Sequence, residues 1–261
     1  MAATPSNAWA GVRELDWAQL QEQSTLPLQG AVLDAGKVTR GTRMLDAGCG
    51  TGILSVLASL RGAEVTAIDG SEAMLKVARQ RLPLCDVRLA DLEALPFEAS
   101  TFDAVVAVNS LFFARDLDAA MREMVRVLDP AGRVVVTCWG PPDRCQYTAV
   151  REAMATLGPP APQSSRVGPS TLAEPGAFEA LFERAGLRVV ARGVSPCAMV
   201  YPNAEVAWLA QASSAPTQAA IRTYGEDAVR HVLEGVDDRH ARADGTISFE
   251  NVFVWAAGER A

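Results

Sequence analysis

A glycine-rich run at residues 48–52, Gly-Cys-Gly-Thr-Gly, follows an apolar stretch at 44–47 and precedes helix-like residues at 53–60. Glycines at a turn from strand to helix let the backbone approach a ligand closely, because they carry no Cβ. Asp69 follows Gly48 by 21 positions and ends the next apolar stretch. A carboxylate there can accept hydrogen bonds from both hydroxyls of a ribose. The pattern predicts an adenosine-type ligand between the glycine turn and Asp69.

The spacing of the glycines argues against a dinucleotide as this ligand. In the dinucleotide fingerprint two residues separate the second and third glycines, whereas Thr51 alone separates Gly50 from Gly52 here. A nicotinamide-dependent oxidoreductase also needs room for a pyrophosphate. We retain that enzyme class as an alternative.

The sequence has two histidines and no cluster of residues with metal-ligand spacing. The histidines are His231 and His240, in the polar contexts AVRHVLEG and DDRHARADG, which predict an exposed helix and its end. We therefore expect neither to be an essential base. The five cysteines include no C-x-x-C pair, so we predict free thiols in a reducing compartment and no metal site.

The elements that must position these residues alternate between strand-like and helix-like patterns. The predicted strands are 44–47, 64–68, 85–90, 102–108, 133–139, 187–194 and 247–256. The predicted helices are 12–35 with a break at Pro27, 53–60, 71–81 capped by Ser71 or Asp69, 117–128, 147–157, 178–185 and 203–243. The nearly all-apolar run at 102–108 is typical of a central parallel strand. We predict a parallel sheet with helices on both faces.

Four stretches, in this order, resemble the class I S-adenosylmethionine-dependent methyltransferases, in particular their small-molecule branch. They are LDAGCGTG at 45–52, VTAIDGSEAML at 65–75, ADLEALPFEASTFDAVVAV at 90–108 and MVRVLDPAGRVVVTCWGP at 124–141. The tail ENVFVWAAG at 250–258 is similar to the family's last strand. The resemblance implies a Rossmann-like, doubly wound α/β fold. Its seven-stranded sheet would be mostly parallel, with an antiparallel last strand and helical lid insertions.

On this fold the chain divides into a cofactor-binding core and lid segments. We expect N-terminal lid helices at 1–35, the Rossmann-like core at 36–140, a connector or lid insertion at 141–176, a core helix and strand at 177–194, a substrate-lid insertion at 195–245 and the last core strand with the tail at 246–261.

The resemblance also assigns cofactor-binding roles by position. Around the methionine part it places Asp46, Gly48, Cys49, Gly50 and Gly52. It places Asp69 on the ribose, Gly70, Ser71 and Met74 beside the adenine, Asp91 and Leu92 at the adenine amino edge, and Asn109 and Ser110 between the methionine end and the substrate.

The chain departs from the family just after the fourth strand. Many relatives carry a histidine or a histidine pair there, whereas this chain has Leu111-Phe112-Phe113. No catalytic base is therefore assigned, and the pocket is expected to be apolar. Aromatic side chains suit a pocket for a sulfonium cation and an apolar acceptor. The predicted substrate-pocket residues are Trp9, Trp17, Phe112, Phe113, Trp139, Tyr147, Tyr201 and Trp208.

The resulting hypothesis is methyl transfer from S-adenosylmethionine to O, N or C of a small, partly apolar metabolite, mainly by proximity and orientation. A second reading keeps the cofactor site but replaces methyl transfer with a step such as cyclisation. The formal charge of −7, without any Lys or Arg run, disfavours nucleic acid and membrane partners. No signal peptide or membrane span is visible, so we expect a cytoplasmic monomer or homodimer.

Overall fold

The computed structural model describes residues 13–158 and 168–261. Trp9, one of the predicted pocket residues, lies outside them. The strands in the described ranges are β1 (Arg43–Ala47), β2 (Glu64–Asp69), β3 (Asp86–Leu89), β4 (Phe102–Ala107), β5 (Leu128–Trp139), β6 (Leu187–Pro196), β7 (Met199–Tyr201), β8 (Ile247–Phe249) and β9 (Val252–Arg260).

Seven of these strands form one sheet in the order β3-β2-β1-β4-β5-β9-β6. Strands β1 to β5 run parallel to one another, and β9 runs antiparallel between β5 and β6. The predicted fold class is therefore confirmed. Strands β2 and β3 lie on one side of β1, and β4 and β5 lie on its other side, so the strand order reverses between β1 and β4. In open α/β sheets, ligands bind outside the carboxyl ends of the strands at such a switch point.

The helices cover both faces of the sheet. They are α1 (Glu14–Asp16), α2 (Leu26–Ala35), α3 (Ile53–Leu60), α4 (Glu72–Arg81), α5 (Leu117–Val127), α6 (Thr148–Ala155), α7 (Ala177–Arg184), α8 (Ala204–Ala212), α9 (Ala215–Tyr224) and α10 (Glu226–His240). Side chains alternate across a strand, so Met44 packs in one apolar cluster with α2 and α3, while Leu45 packs in the other with α5 and α7. Two separate cores hold the sheet.

The structure corrects the predicted boundaries in three places. Pro27 lies in the first turn of α2 and does not break a helix, because a first-turn residue needs no amide hydrogen. Strand β5 begins at Leu128, five residues before the predicted start, and its pairing with β4 shifts register between Phe102 and Ala104. The stretch predicted as one last strand is divided at Glu250–Asn251 into β8 and β9.

The segment between β6 and β9 forms a separate layer. Strand β7, which the sequence did not predict, pairs antiparallel with β8 in a second sheet of two strands. Helices α8, α9 and α10 lie between these two strands in the chain, so the predicted helical stretch is three helices. Asn203 and Ser214 cap the first two of them through side-chain oxygens. Within the described residues, no helix is long and apolar enough to cross a membrane.

Candidate functional site

The glycine turn joins β1 to α3 at the switch point. The backbone N–H groups of Gly48 and Cys49 both donate to the carbonyl of Ile68, each at 2.8 Å, so the turn is held against β2. Gly48, Gly50 and Gly52 have φ values of +86°, +56° and +90°. Such values are readily adopted only by glycine, which explains the residue type at all three positions.

The three glycines differ in what surrounds them. A Cβ built on Gly48 would lie 2.2 Å from the Cβ of Ser110, and one on Gly52 would lie 3.1 Å from Leu82. Gly48 and Gly52 are therefore needed for packing within the protein. A Cβ on Gly50 would meet nothing within 4 Å. Gly50 thus presents bare backbone to open space, as close approach of a ligand requires.

Asp69 ends β2 beside this turn. Its carboxylate accepts hydrogen bonds from the backbone N–H groups of Gly50 at 2.9 Å and Ser71 at 2.8 Å. Burial raises the pKa of Asp69, and these N–H donors, together with that of Gly70, oppose the rise. The carboxylate is oriented by backbone and keeps acceptor capacity for a ribose hydroxyl. Ser71 is the N-cap of α4, since its hydroxyl accepts from the Met74 N–H.

Asp46 is a buried carboxyl group below the turn. It accepts a hydrogen bond from the Ser55 hydroxyl at 2.7 Å. Burial raises the pKa of Asp46 to about 7, and the charge of Asp69 adds to the rise. Cys49 is also buried, and burial raises the pKa of its thiol well above the ordinary value. Cys49 is therefore a packed thiol with no nucleophilic character.

A small cavity of about 60 Å³ lies between the turn and the strand ends. It brings together predicted cofactor residues from four segments of the chain. Its lining is Gly48, Asp69, Gly70, Ala90, Asp91, Leu92, Glu93, Ser110, Phe113 and Ala114. Asp69, Asp91 and Glu93 supply carboxylates to this lining.

Three predicted cofactor residues are held by contacts within the protein; Asn109 and Met74 do not line this cavity, whereas Ser110 does. The backbone N–H of Asn109 donates to the Thr137 hydroxyl and its amide oxygen accepts from that hydroxyl, both at 2.9 Å. The Ser110 hydroxyl donates to the Ala47 carbonyl at 2.5 Å and so fixes the end of β4 to β1. Met74 is buried in a cluster with Trp17 and Ala215. Their predicted contacts with the cofactor stay predictions.

Arg115 was not found by sequence reasoning. Its guanidinium donates to Asp91 at 2.9 Å and lies 3.4 Å from Glu93, while its backbone N–H donates to Glu93 at 2.6 Å. Asp91 is the predicted partner of the adenine amino edge, and it also accepts from the Glu93 N–H. A single arginine 24 positions away gives no sequence signal for this pairing.

The helical stretch before α2 contacts the glycine turn directly. Glu22, which is 4% exposed, accepts hydrogen bonds from the Thr51 hydroxyl and from Arg81 of α4. Arg81 also donates to the carbonyls of Thr51 at 3.2 Å and Ala18 at 3.4 Å. This partly buried ion pair fixes the N-terminal helical stretch against the glycine turn. No pattern in the sequence predicts a role for Glu22 or Arg81.

The predicted pocket aromatics fall into three groups. Phe112 is buried in the core and Phe113 is half-buried at the cavity, with their ring centroids 4.6 Å apart. Trp208 is buried under the guanidinium of Arg230, and Trp17 packs on α4.

The third group is an aromatic cluster beyond the end of β5. Trp139 stacks on Tyr147 with centroids 5.7 Å apart and contacts Phe253 at 4.6 Å. Phe249 contacts Tyr147 at 5.5 Å and Tyr201 at 6.4 Å. The structure thus brings together three of the eight predicted pocket residues, and their role in binding substrate stays a prediction.

One histidine differs from its predicted setting. His231 is exposed, as expected, but His240 is half-buried and stacks on Phe249 with centroids 4.4 Å apart. The prediction of a solvated His240 is therefore wrong, because β8 packs against the end of α10. The described residues contain no group of three or more His, Cys, Asp or Glu that could hold a metal ion.

These features fit S-adenosylmethionine, the cofactor that the resemblance implies. Gly50 offers open backbone, Asp69 offers an oriented carboxylate for a ribose, and Asp91 lies across the same cavity. A family model described as a methyltransferase domain matches residues 45–136, which include all of these positions.

Comparison with known proteins gives relatives that match part of the chain. The chain is 42% identical over 113 residues to a ubiquinone/menaquinone biosynthesis C-methyltransferase of Idiomarina loihiensis, covering 40% of this chain and 45% of the relative. The matches reach about half the length of the curated relatives.

Solved structures show the same fold over most of the chain. A putative type II methyltransferase from Anaeromyxobacter dehalogenans has a TM-score of 0.63 at 19% identity, covering 88% of this chain and 95% of the other. The [4+2]-cyclase SpnF has a TM-score of 0.59 at 21% identity, covering 92% and 83%. The matched domain at residues 45–136 and the fold are similar to those of the class I S-adenosylmethionine-dependent methyltransferases, and they support S-adenosylmethionine as the cofactor.

Proposed function

We propose that the protein transfers a methyl group from S-adenosylmethionine to an O, N or C atom of a small, partly apolar metabolite. The observation that carries this proposal is the position of the aromatic cluster. Trp139 ends β5, next to β4, and so lies at the same edge of the sheet as the glycine turn. An apolar acceptor bound at this cluster would lie beside the methionine part of the cofactor.

The cofactor-binding role of each residue follows from its chemistry. Gly48, Gly50 and Gly52 would face the methionine part, and Asp69 would accept hydrogen bonds from the ribose. Asp91, with Arg115 beside it, would face the adenine. When bound, the cofactor supplies a methyl group on a sulfonium sulfur, which is a good leaving group. Aromatic faces stabilise such a cation by cation–π attraction.

Positioning is the main source of rate in this proposal. Among the described residues, those that line the cavity include no histidine, lysine or tyrosine that could serve as a base. Holding donor and acceptor in a near-attack geometry can by itself contribute about 7–11 kcal/mol to lowering a barrier. This suits a soft nucleophile or an acceptor that is already deprotonated. The relative from Idiomarina, a C-methyltransferase, supports carbon as one candidate acceptor atom.

For partners and location, we propose a small-molecule substrate, no nucleic acid or membrane partner, a monomer or homodimer, and a cytoplasmic location. The net charge of −7 supports the first two points. Gel filtration with light scattering would measure the oligomeric state.

A non-methylating reaction is the second candidate, because SpnF shares the fold and is a cyclase. The deciding measurement is S-adenosylhomocysteine formed per acceptor consumed. We expect one equivalent per turnover. Product formation without any S-adenosylhomocysteine would overturn methyl transfer and favour the cyclisation reading. The nicotinamide-dependent alternative has no support from the family match.

A further inference from the structure

Gln21, Tyr147 and Tyr201 form a hydrogen-bonded network inside the aromatic cluster. The Tyr201 hydroxyl donates to Oε1 of Gln21 at 2.5 Å, and Nε2 of Gln21 donates to the Tyr147 hydroxyl at 3.5 Å. All three residues are buried. They come from the N-terminal helical stretch, the segment between β5 and α6, and β7. The network therefore joins all three segments that the sequence predicts as lids.

The network lies next to the cofactor loop. Glu22 directly follows Gln21, and its carboxylate accepts a hydrogen bond from the Thr51 hydroxyl in the glycine turn. On the other side, Tyr147 stacks on Trp139 at the carboxyl end of β5. The three side chains are thus bounded by the glycine turn and by the edge of the sheet where the methyl group would be presented.

We propose that Gln21, Tyr147 and Tyr201 recognise the methyl acceptor, which is an uncharged, ring-bearing molecule with a hydroxyl or carbonyl group. This inference rests on the proposed function. The rings of Trp139, Phe249 and the two tyrosines favour a flat apolar body. The tyrosine hydroxyls and the glutamine amide supply neutral donors and acceptors for one polar group.

The hydrogen bonds of the network leave capacity for a ligand. At 3.5 Å, the contact between Gln21 and Tyr147 is at the limit of a hydrogen bond. Among the described residues, the Tyr147 hydroxyl accepts from Gln21 and has no acceptor of its own, so a ligand oxygen can accept from it. Burial raises the pKa of both tyrosines, so their hydroxyls stay protonated as donors.

The charges around the network exclude an anionic acceptor. Among the described residues, no hydrogen bond or ion pair joins a lysine or arginine to Gln21, Tyr147 or Tyr201. Asp237, which is 2% exposed, acts electrostatically on both tyrosines. A carboxylate or phosphate buried here would lack a cation and would be repelled by ionised Asp237.

A second polar pair supports a ligand in this region. Nε2 of Gln211 donates to Asp237 at 2.7 Å, and Gln211 is fully buried. Its amide oxygen has no hydrogen-bond partner among the residues that the structure describes. Buried polar atoms are rarely left unpaired. A hydroxyl or N–H donor of the acceptor would satisfy this oxygen.

The charge selectivity is tested with two probes that share a ring system. The affinities of 2-naphthol and 2-naphthoate for the protein are measured by calorimetry in saturating S-adenosylhomocysteine. We expect 2-naphthol to bind at least ten times more tightly than 2-naphthoate. Equal affinities, tighter binding of 2-naphthoate, or no binding of 2-naphthol would overturn the acceptor proposal. If S-adenosylhomocysteine itself does not bind, the proposed function fails instead.

The residues are tested by removing one polar group at a time. Tyr201→Phe and Gln21→Leu should each weaken 2-naphthol about tenfold and leave the affinity for S-adenosylhomocysteine within twofold. Tyr224→Phe is the matched control, because it removes the hydroxyl of the remaining tyrosine of the chain, which lies on α9. Thermal unfolding shows which variants are folded. Equal effects of Tyr201→Phe and Tyr224→Phe would overturn the assignment.

Discussion

The proposed cofactor side and the proposed acceptor side of this molecule are built by different means. On the cofactor side, contacts come mainly from backbone: the Gly50 and Ser71 N–H groups orient Asp69, and Gly50 is bare toward open space. On the acceptor side, buried side chains from three distant segments meet, as in the contact between Tyr201 and Gln21. A site formed by backbone groups depends on the local sequence. A site formed by side chains from distant segments can change its residues to suit a different substrate.

The largest expected effect comes from the most backbone-dependent position. Gly50→Val places a β-branched side chain at φ +56° and in the open space beside the glycine turn. We expect affinity for S-adenosylhomocysteine to fall at least a hundredfold, about 3 kcal/mol, in calorimetry. Gly41→Val is the control, since Gly41 has φ +79° and equally open surroundings at a distant turn. Unchanged affinity in folded Gly50→Val would show that the turn does not bind the cofactor.

On the acceptor side the matching test is the buried carboxyl group of Asp237. Burial raises the pKa of Asp237 from 3.8 to about 6. Because this pKa is raised in the folded protein, the carboxyl group of Asp237 makes its full contribution to the free energy of unfolding below about pH 4. That contribution is lost as the pH rises through about 6. Asp237→Asn should therefore gain stability relative to wild type over this window, by about 3 kcal/mol at most.

Urea unfolding at pH 4.5 and pH 7.5 measures this difference. Asp143→Asn serves as control, because it removes an exposed carboxylate after β5, and its curve should stay parallel to wild type. Asp46 has a pKa raised in the same direction, so only the difference between Asp237→Asn and wild type isolates Asp237. A difference that is constant with pH would contradict burial of an ionisable Asp237.

Asp69 has an intermediate expected effect, because it combines backbone orientation with a side-chain contact. Asp69→Ala leaves ribose hydroxyls unpaired and should weaken S-adenosylhomocysteine by about tenfold to a hundredfold, on the order of 1–3 kcal/mol. Asp103→Ala, an acid paired with Arg43 at the other end of the sheet, is the control. A loss of less than twofold in Asp69→Ala would reject its role.

The smallest expected effect belongs to the histidines. His231 is exposed, and His240 stacks on Phe249 while Nδ1 lies 2.9 Å from the Val236 carbonyl. The double variant His231→Gln with His240→Gln should keep most of the turnover, measured as S-adenosylhomocysteine formed with the acceptor. Loss of a general base costs about a hundredfold or more. A fall of that size in a folded variant would mean that the end of α10 takes part in catalysis.

Prediction from sequence succeeded where the signal was local. The limits of α3 were predicted to the residue, and β1, β2 and α4 to within one, because a glycine turn, a cap and an apolar run mark each end. It failed where pairing decides the structure. Strand β7 has three residues and exists because β8 pairs with it, and the break between β8 and β9 depends on the same second sheet.

The sequence by itself predicted the proposed cofactor half: the glycine turn and Asp69 at the end of β2. These features lie within a short stretch of chain, so residue type and spacing define them. Tertiary structure alone decided the proposed acceptor half. Gln21 is 126 positions from Tyr147 and 180 from Tyr201, and separations of that size leave no pattern in one sequence. The packing of three lid segments on the sheet brings these side chains together.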